Sequence, residues 1–285
     1  MTERTIRDKD IKINLGEIQM TLLLPLYARA REMEKKDPLI RDSYARSIVS
    51  KIDYDFSKFE EGQIENHQLI WALRAYNFDT VIRAFLEKNR DAVVINIGAG
   101  LDTTFRRVDN GDVMWINIDL PDVVALREKL IPDTDREITI AKSMFDFTWI
   151  DDIAQHTKGK SIMIMAAGVL FYFETSEVKT LFCNLAEKYP SAHVVFDAMS
   201  QFAVWASNLT IMRKSGMDSS ARLKWHLKKA ANLRKWVNTI KVIEEYPIFS
   251  RVPIRDDWSK SVIRDLKIAR ILHLNNIYKM IHVQL

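Results

Sequence analysis

Chemistry is concentrated in the segment Val94-Ile95-Asn96-Ile97-Gly98-Ala99-Gly100-Leu101-Asp102-Thr103-Thr104, an apolar run that meets two glycines and then a helical pattern. Glycine lets a backbone take positive φ and pass close to a ligand, and a helix that starts there offers free N–H groups. Gly98, Gly100 and Thr103 give G-x-G-x-x-T. The third small residue of a dinucleotide fingerprint is missing, which disfavours a pyrophosphate. Asp119 ends the next apolar run, 23 positions after Asn96. A carboxylate at that strand tip can accept both hydroxyls of a ribose, or cap the helix after Pro121, a task open to Asp122 as well. The turn and the acid together point to a nucleoside ligand, without saying which. Asp146-Phe147 could bond an adenine amine and stack on its ring, or serve as an N-cap followed by a core aromatic. Met165-Ala-Ala167-Gly168-Val-Leu-Phe-Tyr172-Phe is an apolar and aromatic stretch expected to face the reactive end of the ligand. It lacks the Asn/Asp-Pro-Pro-aromatic sequence of amino-methylating nucleic-acid enzymes.

The elements that must hold these residues can be read from periodicity. Residues 15–35 read as helical with a restart at Pro25, 42–51 as a short helix, and 66–88 as one long helix with apolar residues at helical spacing. Short apolar runs at 92–97, 113–118, 136–140, 162–166 and 192–196 read as buried parallel strands. The second closes on Asp119 and the fifth on Asp197. Helical stretches at 103–108, 123–130, 149–156 and 176–189 separate them. This alternation predicts an α/β fold with a doubly wound, Rossmann-like parallel sheet. The expected organisation is an N-terminal helical cap over 1–65, an α/β core over 66–198, a helical insertion over 199–238 and a completion of the sheet over 239–285. That last part is read as strand 242–248, helix 258–271 and strand 276–283, one βαβ-like unit whose final pair could run antiparallel at the sheet edge.

The chain has 285 residues and one cysteine, Cys183, which excludes an internal disulfide and multi-cysteine metal sites. None of the six histidines forms a spaced cluster with carboxylates, so no metal is expected. The start of the sequence lacks an apolar leader, and no apolar run reaches the ~18 residues of a membrane span. A soluble, cytoplasmic protein with no membrane or nucleic-acid partner is expected. The net charge of +4 is uneven: residues 213–241 hold nine Lys/Arg and only Asp218 as an acid. Interleaved with Trp225, His226, Leu227 and Trp236, these cations read as an amphipathic helix. They form either a solvated face or a patch for an acidic substrate, partner or nucleic acid.

The segments PLYARAREMEKKDPLIRD, LRAYNFD, VVINIGAGLDTTFRRVDNG, WINIDLPDVVALREKL, GVLFYFETSEVKTLF and FDAMS…MRKSGM…W occur here in one order across nearly the whole chain. They resemble the leucine carboxyl methyltransferase family, in its bacterial branch similar to tetracenomycin-type polyketide O-methyltransferases. The resemblance implies a class I S-adenosylmethionine (SAM) fold, a seven-stranded sheet with one antiparallel edge strand and a helical cap. It also implies residue roles. Arg74 would hold the SAM carboxylate and Asp79 matches the acid that follows it. Gly98, Ala99, Gly100 and Asp102 would form the turn beneath the methionine portion. Asp119 and Leu120 would meet the ribose, Asp146 and Phe147 the adenine. Ala167 stands where family members often have Glu before glycine, which bears on recognition of the SAM amino group. Thr104 replaces the arginine that usually ends Gly-Leu-Asp-Thr-Arg, and arginines follow at 106 and 107.

In-line methyl transfer from a sulfonium needs alignment and desolvation above all. A carboxylate acceptor is ionised near pH 7 and needs an anchor, whereas a hydroxyl profits from a base within hydrogen-bond reach. Tyr27, Arg29 and Tyr172 are the acceptor-side candidates, each with a structural alternative as a core tyrosine or an ion-pair member. The expected activity is SAM-dependent O-methylation of a small polyketide-like or aromatic acceptor at a carboxylate or hydroxyl. Competing readings are a non-catalytic SAM-binding or partner-binding module and, from the glycine turn alone, a nucleotide-dependent oxidoreductase.

Overall fold

The computed structural model describes residues 11–59, 64–214, 222–255 and 277–285, with positions 258, 260, 263, 264, 267 and 268 between the last two stretches. Seven strands form one sheet: β1 (Val93–Ile97), β2 (Met114–Asp119), β3 (Glu137–Ala141), β4 (Ile162–Ala166), β5 (His193–Met199), β6 (Lys241–Pro247) and β7 (Tyr278–Gln284). Their order is β3-β2-β1-β4-β5-β7-β6, and β3 through β5 are mutually parallel. The strand order reverses between β1 and β4, so a crevice opens at the carboxyl ends of those two strands, where ligands of such sheets sit. The predicted fold class is the one observed.

The antiparallel strand differs in place from expectation. β7 pairs antiparallel with both β5 and β6, so it lies one strand in from the edge. The reason is in the burial pattern. Six consecutive residues of β7 are buried, whereas β6 alternates and keeps Lys241, Ile243 and Glu245 exposed. A strand buried on both faces belongs inside a sheet and a half-polar one at its rim. β6 and β7 are therefore not a parallel βαβ unit; most of the helix expected at 258–271 lies outside the described residues.

Side chains alternate across the sheet. Val93, Ile95, Ile97, Ile116 and Ile164 pack on one face with Phe182 and Trp225. Val94, Trp115, Met163 and Met165 pack on the other, against Phe78, Ile82 and Phe85 of a 25-residue helix, α1 (Ile64–Lys88). A third cluster joins Leu23, Leu26, Ile48, Phe56 and Phe59 of the N-terminal segment to Leu101, Leu126 and Leu130, so the cap rests on the glycine loop and the helix beyond it.

The N-terminal helical stretch is divided before Pro25, into a single turn (Glu17–Met20) and a helix Leu23–Glu32. Pro25 sits in the first turn of the second piece, where its missing N–H has no intrahelical acceptor to lose. The helix Ser43–Lys51 is capped by Asp42, whose carboxylate accepts from the Ala45 N–H at 2.9 Å. The stretch expected at 149–156 is two short turns, Trp149–Asp152 and Ala154–Thr157. No helix among the described residues is long and apolar enough to cross a membrane.

Part of the predicted helical insertion is not helical. A helix, α2 (Gln201–Lys214), follows β5, but residues 222–229 are extended. Leu223, Trp225 and Leu227 are buried while Arg222, Lys224, His226 and Lys228 are exposed. That is a period of two, and the segment is fixed by hydrogen bonds from the Trp225 N–H to the Phe171 carbonyl and from the Leu227 N–H to that of Met199. The alternation of basic and apolar residues is compatible with a helix only in composition; its strict two-residue period is that of an extended chain.

Candidate active site

A cavity of about 620 Å³ opens at the carboxyl ends of β1, β2 and β4. Its lining includes Gly98, Ala99, Gly100, Asp102, Asp119, Leu120, Arg74, Ala167, Arg29 and Tyr172, ten of the thirteen residues singled out from sequence. Three candidates are elsewhere. Tyr27 is buried in the cap, stacked on Phe56 with ring centroids 5.1 Å apart and beside Phe59. This is the core-tyrosine alternative. Asp146 is exposed and accepts from the N–H and hydroxyl of Thr148 at 3.2 and 2.7 Å, which makes it a turn-forming acid. Phe147 packs partly buried against the main core. Their neighbours Ser143 and Met144 reach the cavity instead.

The glycine loop is held from behind. Gly98 has φ of +67°, and a Cβ there would meet Val169 at 2.6 Å, so both backbone and space require glycine. The carbonyls of Gly100 and Asp102 accept from the buried Arg127 guanidinium at 3.0 and 2.7 Å, and that of Leu101 from Arg29 at 2.8 Å. Arg127 is anchored by Glu137 at 2.8 Å. With carbonyls drawn away on one side, the loop has a defined face toward the cavity. Asp119 closes that face: its carboxylate accepts from the N–H groups of Gly100 at 2.6 Å and Leu120 at 2.7 Å. Burial pushes its carboxyl above the ordinary value, and the two N–H groups oppose that rise.

Arg29 is the ion-pair alternative. It donates to Asp42 at 2.9 Å, and Asp42 also receives Arg107 at 2.7 Å and the Thr103 hydroxyl at 2.6 Å. Arg107 grips Asp79 with two hydrogen bonds of 2.8 and 2.9 Å. Burial favours the neutral acid, yet Arg107 and Arg29 hold Asp42 below the usual carboxylate range. One buried chain of charges thus ties the cap, α1 and the helix after the glycine loop together. Arg107 lies one helical turn beyond Thr104 and the two are hydrogen-bonded at 2.8 Å.

Arg74 crosses the floor between β4 and β5. Its side chain is 11% exposed and its guanidinium lies 3.8 Å from Asp197 and hydrogen bonds to Tyr278. A Cβ on Gly168 would stand 2.2 Å from that guanidinium, and Gly168 has φ of +72°, so this glycine makes room for the arginine. Asp197, buried at the end of β5, accepts from the Gly168 N–H at 2.6 Å and from the Tyr278 hydroxyl. Burial raises the Tyr172 phenol, which shares a hydrogen bond with Thr21.

Sequence reasoning missed Arg127, Glu137, Asp197 and Tyr278 as members of the site. Asp197 had a signal, an acid closing an apolar parallel strand just as Asp119 does. Tyr278 had none, because its strand lies 81 residues further on and reaches β5 only through the antiparallel register that sets Met199 opposite it.

The remaining wall is apolar. Phe171, Met199, Phe202, Ala203, Ala206, Leu223, Phe249 and Ile277 line it, with Ser207, Tyr172 and Tyr278 as its polar groups. Phe202 and Trp205 on α2 remain 64% and 57% exposed.

The sequence profile described as leucine carboxyl methyltransferase matches residues 23–186. Among characterised relatives, the tetracenomycin polyketide synthesis O-methyltransferase TcmP of Streptomyces glaucescens is 26% identical over 268 residues, spanning 92% of this chain and 96% of that protein. The S-adenosyl-L-methionine-dependent methyltransferase dpfgK of Gibberella zeae is 24% identical, over 82% of this chain and 83% of its own. Among solved structures, a DUF574-family protein of Streptomyces avermitilis superposes with a TM-score of 0.57 at 12% identity, covering 90% of this chain and 96% of that one.

Proposed function

Because the chain belongs to the leucine carboxyl methyltransferase family and is thereby a SAM-dependent methyltransferase, we propose that the cavity seats SAM along the carboxyl ends of β1, β2 and β4 and a small molecule acceptor against the apolar wall. The acceptor atom is an oxygen, a carboxylate or hydroxyl of a polyketide-like or aromatic molecule; the named activity of TcmP supports this. When bound, SAM supplies a methyl group activated by its sulfonium.

The residues present suit that ligand. Asp119 keeps lone pairs beyond the two N–H bonds it accepts, so it can take ribose hydroxyls at the rim of the loop. Arg74 is a buried cation in the cavity wall, placed to pair with an amino-acid carboxylate. Ala167 adds no side-chain carboxylate, which leaves backbone groups to meet the amino group. Ser143 and Met144 take the adenine side in place of Asp146 and Phe147. Catalysis by these groups is positioning and exclusion of water, with the cap roofing the cavity through Ile18, Thr21, Leu22 and Pro25.

The single observation that carries this reading is Asp119 clasped to the Gly100 N–H at the mouth of the glycine loop. Asp119→Ala removes the ribose partner and is expected to weaken SAM at least about 100-fold in calorimetric titration, as two charge-assisted hydrogen bonds of about 1.5 kcal/mol would. Circular dichroism should still show a folded protein. Unchanged affinity overturns the assignment, and a parallel titration with NADH checks the oxidoreductase reading.

A further inference from the structure

From its start to Leu209, the exposed side chains of α2 are Gln201, Phe202, Trp205 and Leu209, an apolar ridge without a charge. Phe202, Trp205 and Leu209 are 64%, 57% and 44% exposed, and the two rings lie 5.9 Å apart. Single apolar residues on a surface are ordinary, whereas a contiguous row of large ones marks a contact site. At 3.6 residues per turn the ridge falls between two other faces of the helix. On one side Ala203, Ala206 and Ser207 line the cavity. On the other, Val204 packs with Leu223 of the extended strap 222–229, and Asn208 exchanges two hydrogen bonds of 2.9 Å with the Leu223 backbone.

The strap runs antiparallel to α2, because Leu223 is held at Asn208 while the Leu227 N–H reaches the Met199 carbonyl just before the helix. Its exposed side chains include Arg222, Lys224, Lys228 and Lys229, and it contains no acid. Lys224 lies 3.4 Å from the exposed Glu174, which leaves the strap in cationic surplus. A row of cations, an aromatic and aliphatic ridge and the cavity mouth therefore lie side by side in that order. Phe202 belongs to both ridge and mouth, and Ile18 of the cap, 38% exposed, also lines the cavity.

We propose that this face rests on an anionic lipid bilayer, with the ridge at the boundary of headgroups and acyl chains, the strap cations against the headgroups and the cavity mouth turned to the apolar phase. Trp, Phe and Leu on one face of a helix with Lys and Arg beside them is the composition of an interfacial element. Charge complementarity selects the anionic surface. The ridge offers only Gln201 as a hydrogen-bonding side chain, which suits a fluid apolar layer better than a folded protein, whose interface carries directional polar contacts. Long Lys and Arg stems let the charges reach headgroups while the ridge is buried. The expectation of no membrane partner rested on the lack of a spanning run, which bears on crossing a bilayer and not on lying against one. One consequence rests on the methyltransferase reading: an apolar acceptor reaches the wall past Phe202 and Ile18 from the bilayer, without passing through water.

The test floats the full chain with phosphatidylcholine vesicles made with and without phosphatidylglycerol, and repeats the binding with brominated acyl chains that quench tryptophan fluorescence. Binding to the anionic vesicles should be at least about tenfold tighter than to the neutral ones and should weaken as salt is raised. Arg222→Gln combined with Lys228→Gln should weaken it about 25-fold, about fivefold for each cation. Trp205→Ser and Leu209→Ser should each weaken it about tenfold. Trp205→Phe should bind within about threefold of wild type yet lose a large part of the quenching by brominated lipid. None of these four positions lines the cavity, so circular dichroism and SAM calorimetry of the variants should match wild type. Failure to bind either vesicle overturns the proposal, as does quenching that survives in Trp205→Phe. Ridge variants that bind as wild type does, with capture by poly-L-glutamate equal to that by vesicles, would reduce the contact to charge alone, as for an acidic protein, and overturn it. Self-association in sedimentation velocity that Trp205→Ser abolishes would make the ridge an interface between copies of this chain and overturn it too. Absence of SAM binding by wild type would strike at the methyltransferase reading and leave the vesicle result standing.

Discussion

The two ends of the cavity are built on opposite principles. Around the glycine loop charged groups are fixed by other charged groups: Arg127 by Glu137, Arg29 and Arg107 by Asp42, and Arg107 again by Asp79. Each guanidinium is buried and is held by bonds to backbone carbonyls and carboxylates, with the Thr104 hydroxyl added for Arg107. At the other end the wall is apolar, borrowed from α2, the turn after β4 and the extended strap, with Phe202 and Trp205 still largely in water. Buried ion pairs are directional and tolerate little displacement, whereas apolar contacts of equal volume can repack. Rigidity is thus placed at one end only. A cofactor common to a family is met by a braced surface, and an acceptor particular to one enzyme by a surface that can be recut.

The most severe test of this contrast is to unbrace the loop. Asp42→Ala leaves Arg29 and Arg107 buried together without their shared carboxylate. An uncompensated buried charge costs about 3–5 kcal/mol. Urea unfolding should show a loss of that size, and SAM affinity should fall with it because Arg29 no longer holds the Leu101 carbonyl in place. A loss under about 1 kcal/mol would mean that the loop is braced by packing alone.

A second perturbation separates the sheet from both ends. His193 and His282 meet with ring nitrogens 2.8 Å apart, and His193 begins β5, at the strand end opposite the cavity. Burial and then its histidine neighbour hold His282 down to about 4, and burial also lowers His193. Between that value and the unfolded value of about 6.5 the unfolded chain binds more protons than the native one. Stability is therefore complete above about pH 7 and declines as pH falls from 6.5 toward 4, by up to about 3 kcal/mol. His282→Gln should flatten this slope in thermal unfolding between pH 4 and 7. SAM affinity of the variant at pH 8 should match wild type, since the pair touches neither end of the cavity.

The same contrast separates what is legible in the sequence from what is not. The strands, their order of appearance and the glycine turn follow from local patterns, and Asp119 and Arg74 both line the cavity. What could not be read is what arrives from far along the chain. Tyr278 reaches Asp197 across 81 positions, and Arg127 turns back to the loop across 25 and 27. The inward place of β7 depends on burial of both its faces, which no single strand announces. Asp146 resembles an adenine ligand because its residue type and position suit that task, yet a turn two residues long satisfies it. The extended course of 222–229 lies in a two-residue alternation that the run of lysines and aromatics obscures.

Gly168→Ala probes the seam between the ends, because that glycine lies under Arg74 while its N–H holds Asp197. The backbone strain of a side chain at φ of +72° costs about 1 kcal/mol, and the guanidinium must move besides. Stability should fall by about 1–3 kcal/mol and SAM affinity by tenfold or more. If affinity holds while the rate of methyl transfer collapses, Arg74 belongs to the acceptor end and the boundary drawn between the two ends is misplaced.

Phe202→Ala is the smallest perturbation and the most specific to the acceptor end. The ring is 64% exposed and its centroid lies 5.9 Å from that of Trp205, so its removal opens little core. Stability should change by less than about 0.5 kcal/mol, as for other surface substitutions, and SAM affinity should not change. The acceptor should feel it directly. A ring lining the cavity that also faces water gives up its hydration when an aromatic molecule stacks on it, a contact worth about 0.5–1.5 kcal/mol beyond area. The KM for an aromatic methyl acceptor should rise about three- to tenfold with kcat nearly constant, the signature of lost uniform binding. A fall in kcat at constant KM would instead place Phe202 against the reacting atoms, and the apolar wall would then be held to a geometry as strict as that of the loop opposite it.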